Sequence, residues 1–138
     1  MMRFFISLIC LVFLSSFSER KYVRTYYETG KVKTEGWMVN SHKEGYWYYY
    51  NQKGFKIKEG HYKKNKKCKW WIFYNQDGKL FKKCQYKEDK LSGYVIYYDQ
   101  DQQIHKAQRY RENECLGSWT SLDEFKKDNP GLFLFSGI

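Results

Sequence analysis

Lysine, aromatic and cysteine side chains are the groups in this sequence that could carry chemistry. Cys68, Cys84 and Cys115 follow an amino-terminal apolar run that contains a fourth cysteine. No Cys-x-x-Cys pair occurs and the three histidines stand at unrelated spacings, so we predict no metal site. The sequence also has no Gly-x-Ser-x-Gly or His-Glu-x-x-His motif, and its carboxylates are scattered. This pattern argues against an enzyme and predicts no cofactor.

Charge and aromatic content indicate a binding surface instead. The 138 residues carry a net charge of +10, from 25 Lys and Arg against 15 Asp and Glu, and 21% of them are aromatic. That length fits one domain, or two at most. Tyrosine and tryptophan favour half-buried pleated surfaces, so the composition predicts β-sheets with much surface next to water.

A period of 24 residues organises the chain. Residue types recur at this spacing in several columns: Gly30, Gly54 and Gly78; Tyr26, Tyr50, Tyr74 and Tyr98; Val23, Trp47, Trp71, Val95 and Trp119. Fixed periods of this length indicate a stacked array of supersecondary units. We predict an all-β repeat array over residues 19–120, made of a half repeat followed by four full repeats.

Each repeat has the pattern of a β-hairpin. Aromatic segments such as Gly45 to Tyr50 are followed at once by turn residues, for example Asn51 to Gly54 and Asn75 to Gly78. Asparagine first and glycine last predicts a type I turn closed by a left-handed glycine with a bulge. A second strand and a polar, Lys-rich stretch then lead into the next unit. The array is therefore predicted to be a long antiparallel meander sheet of about nine strands.

Alternation along each strand sorts the aromatic residues onto two faces. The column of Val23, Trp47, Trp71, Val95 and Trp119 is assigned to a packed core face. The opposite face is predicted to present an aromatic ladder for a partner: Tyr46, Tyr50, Trp70, Tyr74, Tyr94 and Tyr98. The alternative is structural, with these rings shielding the backbone and bracing the sheet.

Lysines and two cysteines complete the candidate residues. A basic band is predicted at the sheet margin: Lys63, Lys64, Lys66 and Lys67. It suits an acidic protein, an acidic glycan or anionic lipid headgroups, and no nucleic acid is expected for an exported chain; the alternative is a solvated face.

Cys68 and Cys84 fall on neighbouring predicted strands at a similar level. This position allows a disulfide, and free buried thiols are an equal alternative.

Both ends of the chain differ from the repeat. Residues 1–18 have the order of a secretory signal peptide, with Arg3, an apolar run and small residues up to Ser18, which predicts export after cleavage near Ser18. An uncleaved membrane anchor is the alternative. Residues 121–138 are predicted to form a cap. A capping box from Ser121 to Glu124 begins a short helix that ends near Asp128, and an apolar segment follows, for which a docking peptide is the alternative.

The repeat units resemble the MORN-repeat variant family. The similarity rests on Tyr-Tyr-x-x-Gly-x-x-Lys-x-Glu-Gly at Tyr26 to Gly36 and on Gly-x-Trp-x-Tyr-Tyr at Gly45 to Tyr50, and it covers residues 21–120. Departures are Gln102, Cys84, Gln108 and Lys69, which replace glycines of the pattern. The resemblance implies a meandering sheet that binds proteins, or sometimes lipids, without catalysis. Bacterial members are often described as antitoxins of toxin–antitoxin pairs.

A second resemblance leads to the competing prediction. The Gly-x-Trp-Tyr-Tyr pattern is also similar to choline-binding and glucan-binding repeats of cell-surface proteins, which are usually shorter. Together these features predict a non-catalytic, exported, protein-binding module, antitoxin-like if its partner is a toxin. The alternative is a module that binds cell-wall glycan or anionic lipid at the cell surface.

Overall fold

Nine antiparallel strands form one sheet in strictly sequential order, as the repeat predicts. The structure, a computed structural model, describes residues 18–131. The signal peptide, apart from Ser18, and the apolar segment after Gly131 lie outside the described residues. The elements are β1 Arg20–Tyr26, β2 Val32–Val39, β3 His42–Tyr50, β4 Lys56–Lys63, β5 Lys66–Tyr74, β6 Leu80–Lys87, β7 Lys90–Tyr98, β8 Ile104–Arg111, β9 Glu114–Trp119 and α1 Leu122–Asp128.

The turns along one edge of the sheet follow the predicted chemistry. In the turn between β3 and β4, Gly54 donates its backbone N–H to the Asn51 carbonyl at 2.9 Å and has φ +94°. A one-residue shift in strand pairing follows, which is the expected bulge. Gln102 adopts the same left-handed conformation at φ 62°, so the loss of glycine there leaves the turn intact. Its side-chain amide bonds the backbone of Leu80, which supports this turn from the neighbouring hairpin.

The turns along the other edge are two-residue turns that the sequence did not reveal. Both central residues have positive φ, as in Lys64 at 48° and Asn65 at 66°. These values define type I′ turns, which match the right-handed twist of the flanking strands. An asparagine or aspartate of the next repeat supports three of these four turns: the Asn65 side chain, for example, accepts from the Lys43 backbone N–H at 2.6 Å. Cross-repeat bonds of this kind hold the period along the edge.

Tryptophan packing on glycine builds the core of one face. Gly36 lies opposite Trp47 and Gly60 lies opposite Trp71, and a Cβ at Gly60 would stand 2.4 Å from Cδ2 of Trp71. Each indole therefore lies flat on the neighbouring strand, in the space that a side chain would fill. Trp47 is 2% exposed and Trp71 is 0% exposed. In the third repeat Cys84 replaces the glycine and the facing residue is Val95, which needs less room.

The predicted position of Trp119 is wrong, because a bulge changes the face on which it lies. In the last ladder Arg109 pairs with Gly117 and Tyr110 with Cys115, so one residue, Leu116, has no partner. A single unpaired residue reverses the alternation of the strand beyond it. Trp119 pairs with Ala107, whose other partner is Ile96, and so it lies on the face opposite Trp71.

The short helix α1 begins and ends as predicted. The Ser121 hydroxyl accepts from the Glu124 backbone N–H at 3.2 Å, which is the capping bond. Phe125, 2% exposed, points onto the sheet, with its ring centroid 5.2 Å from that of Trp119 and 5.8 Å from that of Tyr94. The helix therefore covers one face at the end of the array. Within residues 18–131 no helix is long and apolar enough to cross a membrane.

Candidate binding faces of the sheet

The two faces of the sheet differ in their carboxylates. We call the face that carries Trp47, Trp71 and Val95 the Trp face, and the opposite face, with Tyr50 and Tyr74, the Tyr face. The strands of the described region contain four carboxylates, and the pairing registers place all of them on the Tyr face: Glu35, Glu44, Glu59 and Glu114. The Trp face thus has lysines without any strand carboxylate.

Five lysines form what we call the lysine track of the Trp face. Their pairing places them beside the core rings on strands β3, β4, β5, β6 and β8, and they are Lys43, Lys58, Lys67, Lys82 and Lys106. None of the five makes an ion pair within the part of the chain that the structure describes. The sequence contained a signal for them, since Lys58, Lys82 and Lys106 recur at the 24-residue period.

Aromatic rings, rather than carboxylates, hold these ammonium groups. Lys43 Nζ lies 4.6 Å from the Trp47 ring centroid and 5.1 Å from that of Tyr62, and it donates to the Tyr49 hydroxyl at 2.9 Å. One repeat later, Lys67 Nζ lies 5.5 Å from Trp71 and 5.0 Å from Tyr86. Cation–π contacts of this kind stabilise a partly desolvated cation by about 0.5–2 kcal/mol. The repeat therefore builds the same lysine site twice.

Burial and mutual repulsion affect the lysines of the track. Burial, with a contribution from the charge of Lys58, lowers the pKa of Lys43. Burial and the charge of Lys67 lower the pKa of Lys58 in the same way. Desolvated cations without a counter-ion are electrostatically unfavourable, and an anion that approached them would relieve this cost. Asp89, in the turn at the sheet edge, accepts from the Lys67 backbone N–H at 2.8 Å.

The Tyr face uses its polar groups internally. The Tyr50 hydroxyl donates to Glu35 Oε1 at 2.8 Å, and Arg24 Nε donates to the other oxygen of Glu35 at 2.8 Å. One repeat later, the Tyr74 hydroxyl donates to Glu59, which also pairs with Lys56 Nζ at 2.8 Å. The Arg24 hydrogen bond, ahead of smaller contributions, lowers the pKa of Glu35. The tyrosine and arginine bonds join neighbouring strands, so they brace the sheet.

The predicted aromatic ladder lies on the Tyr face as the alternation requires. Tyr46 and Trp70 pair with His61 and Gln85, and burial raises the pKa of Tyr46 to about 12. Tyr98 is buried, and the Tyr94 ring contacts α1 through Phe125. With the hydroxyls of Tyr50 and Tyr74 both bonded to carboxylates, the geometry favours the bracing role for this ladder.

The predicted basic band is divided between different surfaces. Lys67 pairs with Tyr62 on the Trp face and belongs to the lysine track, whereas Lys63 pairs with Lys66 on the Tyr face. Lys64 occupies the type I′ turn between them and is exposed. The four lysines therefore do not form one surface, because adjacent strand positions point to opposite sides.

The disulfide that the sequence allowed is not formed, and Cys68, Cys84 and Cys115 are free. Cys68 pairs with His61, whereas Cys84 pairs with Trp71, so the two thiols lie on opposite faces of the sheet. A bridge would have to pass through the backbone, which disulfide geometry does not allow. Burial raises the pKa of the Cys84 thiol to about 11. Across residues 18–131 no group of three or more His, Cys, Asp or Glu side chains is arranged to hold a metal ion.

Replacing Tyr74 by phenylalanine tests the bracing role. We expect a loss of about 1.5–3 kcal/mol in the free energy of unfolding, measured by urea denaturation, because the buried Glu59 carboxylate loses a hydrogen-bond donor. Tyr26 in the same column is 56% exposed, and Tyr26→Phe should stay within about 0.5 kcal/mol of the parent. Equal, small effects at both positions would leave the Tyr74 hydroxyl free for a partner and contradict the bracing role.

Comparison with known proteins adds little to this description. No protein-family model matches the chain. No curated protein matches it either. A solved structure described as a GtfA/B complex bound to UDP and GlcNAc is similar over 86% of this chain and 28% of that chain, with a TM-score of 0.38 and 14% identity. A similarity at that level carries no argument about activity. The fold itself defines the class of protein, a single-sheet array of β-hairpin repeats.

Proposed function

We propose that this chain is a non-catalytic binding module that recognises an acidic surface of a partner protein through its Trp face. The carrying observation is the distribution of the carboxylates: every strand carboxylate lies on the Tyr face, whereas the five lysines of the track share a face that has none. Electrostatic complementarity of this kind accelerates encounter and selects partners. The proposed site of action is outside the cell, after removal of the signal peptide, and the role is antitoxin-like if the partner is a toxin.

Two features support binding rather than catalysis. The Trp face is the surface of an open sheet, so it suits a macromolecular partner better than a small substrate. Trp47 and Trp71 of this face are packed on glycine and buried, so their role is structural.

Site-specific photocrosslinking in the native organism tests the proposed function. Phe73 and Ile72 are adjacent, half-buried residues of β5 on opposite faces, so a photoreactive phenylalanine analogue at each position is a matched pair. We expect a stoichiometric protein partner to crosslink at position 73 and much less at position 72, and high salt to reduce the yield.

Three other results would contradict this function. Crosslinking at position 72 alone would place the interface on the Tyr face. Recovery of only glycan or lipid at position 73 would support the cell-surface alternative. Capture of a small molecule that the protein has chemically converted would contradict the non-catalytic role.

A further inference from the structure

We propose that the lysine track binds an extended acidic segment of the partner protein, rich in Asp and Glu and laid across the strands from β3 to β8. This inference rests on the proposed function and names the chemistry that the Trp face recognises. A folded acidic domain would touch a few lysines at random positions. A linear segment can instead satisfy one lysine after another along the sheet.

The track runs across the strands as two staggered rows of lysines. It supplies one lysine from each of four consecutive strands, β3 to β6, and resumes with Lys106 on β8. Lys58, Lys82 and Lys106 form one row across the strands, because they pair in turn with Tyr49, Phe73 and Tyr97. Lys43 and Lys67 form a second row, since Lys67 pairs with Tyr62, four residues along β4 from Lys58. The rows approach each other at Tyr49, whose ring centroid is 5.3 Å from Lys43 Nζ and 4.6 Å from Lys58 Nζ. On β7 Leu91 stands at the position equivalent to Lys43 and Lys67, and it pairs with Tyr86 on the same face. The row of Lys43 and Lys67 therefore ends at β5, whereas the row of Lys58, Lys82 and Lys106 continues to β8.

The lysines are held in place before any ligand arrives. Lys58 Nζ lies 4.6 Å from the Tyr49 ring, Lys82 Nζ lies 5.2 Å from Phe73, and Lys106 Nζ lies 5.5 Å from Tyr97. A free surface lysine loses much side-chain entropy when it forms an ion pair. Rings that already restrict these side chains reduce that cost, so carboxylates of a ligand gain more from each contact.

The rings of the Trp face do not offer the stacking surfaces that bases or sugars use. Trp47 and Trp71 are almost fully buried, and lysine ammonium groups lie over Tyr49, Phe73 and Tyr97. Recognition of single-stranded nucleic acid depends on open aromatic platforms. Charge and hydrogen bonding remain as the available means of recognition, and carboxylate side chains on an extended peptide satisfy both.

Fluorescence polarisation with the full chain tests the acidic segment. The probe is a fluorescein-labelled peptide of alternating Glu and Ser, and its counterpart with Gln in place of Glu is the neutral comparison. The test variant carries Lys58→Gln, Lys82→Gln and Lys106→Gln. The control carries Lys53→Gln, Lys79→Gln and Lys126→Gln, three exposed lysines in turns and in α1. Both variants lose the same net charge.

We expect the track variant to weaken peptide binding by at least about tenfold, and the control by less than about threefold. The salt dependence of binding should decrease in the track variant as well, because fewer ion pairs form. Circular dichroism verifies that both variants fold. The single variants Lys58→Gln, Lys82→Gln and Lys106→Gln, each expected to lose about two- to fivefold, provide the same test if the triple variant is unstable.

Equal losses in the two triple variants would overturn the inference, because net charge alone would then explain binding. If heparin or oligothymidylate binds more tightly than the peptide, the ligand of the lysine track is another polyanion and not an acidic protein segment. If a partner crosslinks at position 73 while the peptide fails to bind, the proposed function stands and only the acidic segment is wrong. If crosslinking also fails, both are wrong.

Discussion

Gly60→Ala should strongly destabilise the sheet. The new Cβ would stand 2.4 Å from Cδ2 of Trp71 and 2.5 Å from its Cγ, and the indole is 0% exposed, so it has no free space to move into. Overpacking of a rigid core costs about 1–3 kcal/mol or more. Urea denaturation should show this loss as a lower midpoint at an unchanged slope.

A second substitution should compensate for the first. Trp71→Val alone leaves a cavity and costs about 3–5 kcal/mol, but it also removes the ring that the alanine would strike. The double variant should therefore lose at least about 1 kcal/mol less than the sum of the single losses. The third repeat shows this pairing naturally, with Cys84 opposite Val95.

The matched control for the glycine is Cys84→Ala in the same column. Alanine there faces Val95 and removes only a thiol, so a loss of about 1 kcal/mol is expected. If the losses for Gly60→Ala and Trp71→Val simply add in the double variant, the contact between glycine and indole does not set the packing of this face.

Phe125→Ala should detach α1 from the end of the array. Phe125 is 2% exposed and packs on Trp119 and Tyr94, and a Phe to Ala change at such a site costs about 3–5 kcal/mol. A seven-residue helix is too short to persist in water without this contact. We expect a red shift of the Trp119 fluorescence and rapid hydrogen exchange over the helix, while β3 to β6 stay protected.

Leu122→Ala is the matched control within the same helix. Leu122 is 45% exposed, so its truncation should change stability by less than about 1 kcal/mol and leave the fluorescence in place. If Phe125→Ala left the helix protected from exchange, some other contact would hold α1 to the sheet, and the cap would not depend on the Phe125 ring.

The sequence predicted the repeat architecture because its determinants are local. The period of 24, the Asn and Gly turns and the capping box at Ser121 each depend on residues close in sequence, and the structure confirms the meander, the hairpin turns and α1. The type I′ turns were not recognised because their left-handed positions carry residues such as Lys64 and Glu88 instead of glycine. Turn length and strand twist select that conformation, and neither is visible in residue type.

The assignment of residues to faces could only be decided by pairing between strands. Simple alternation holds through the first bulges, but the unpaired Leu116 moves Trp119 to the Tyr face, where it meets Phe125. Pairing also separates Cys68 from Cys84 and divides the basic band. The lysine track depends on the same registers, since its members become neighbours only when strands β3 to β8 are side by side. The amino-acid sequence thus determined the repeat and its turns through short-range steric preferences, whereas the register of the assembled sheet decided which side chains share a surface.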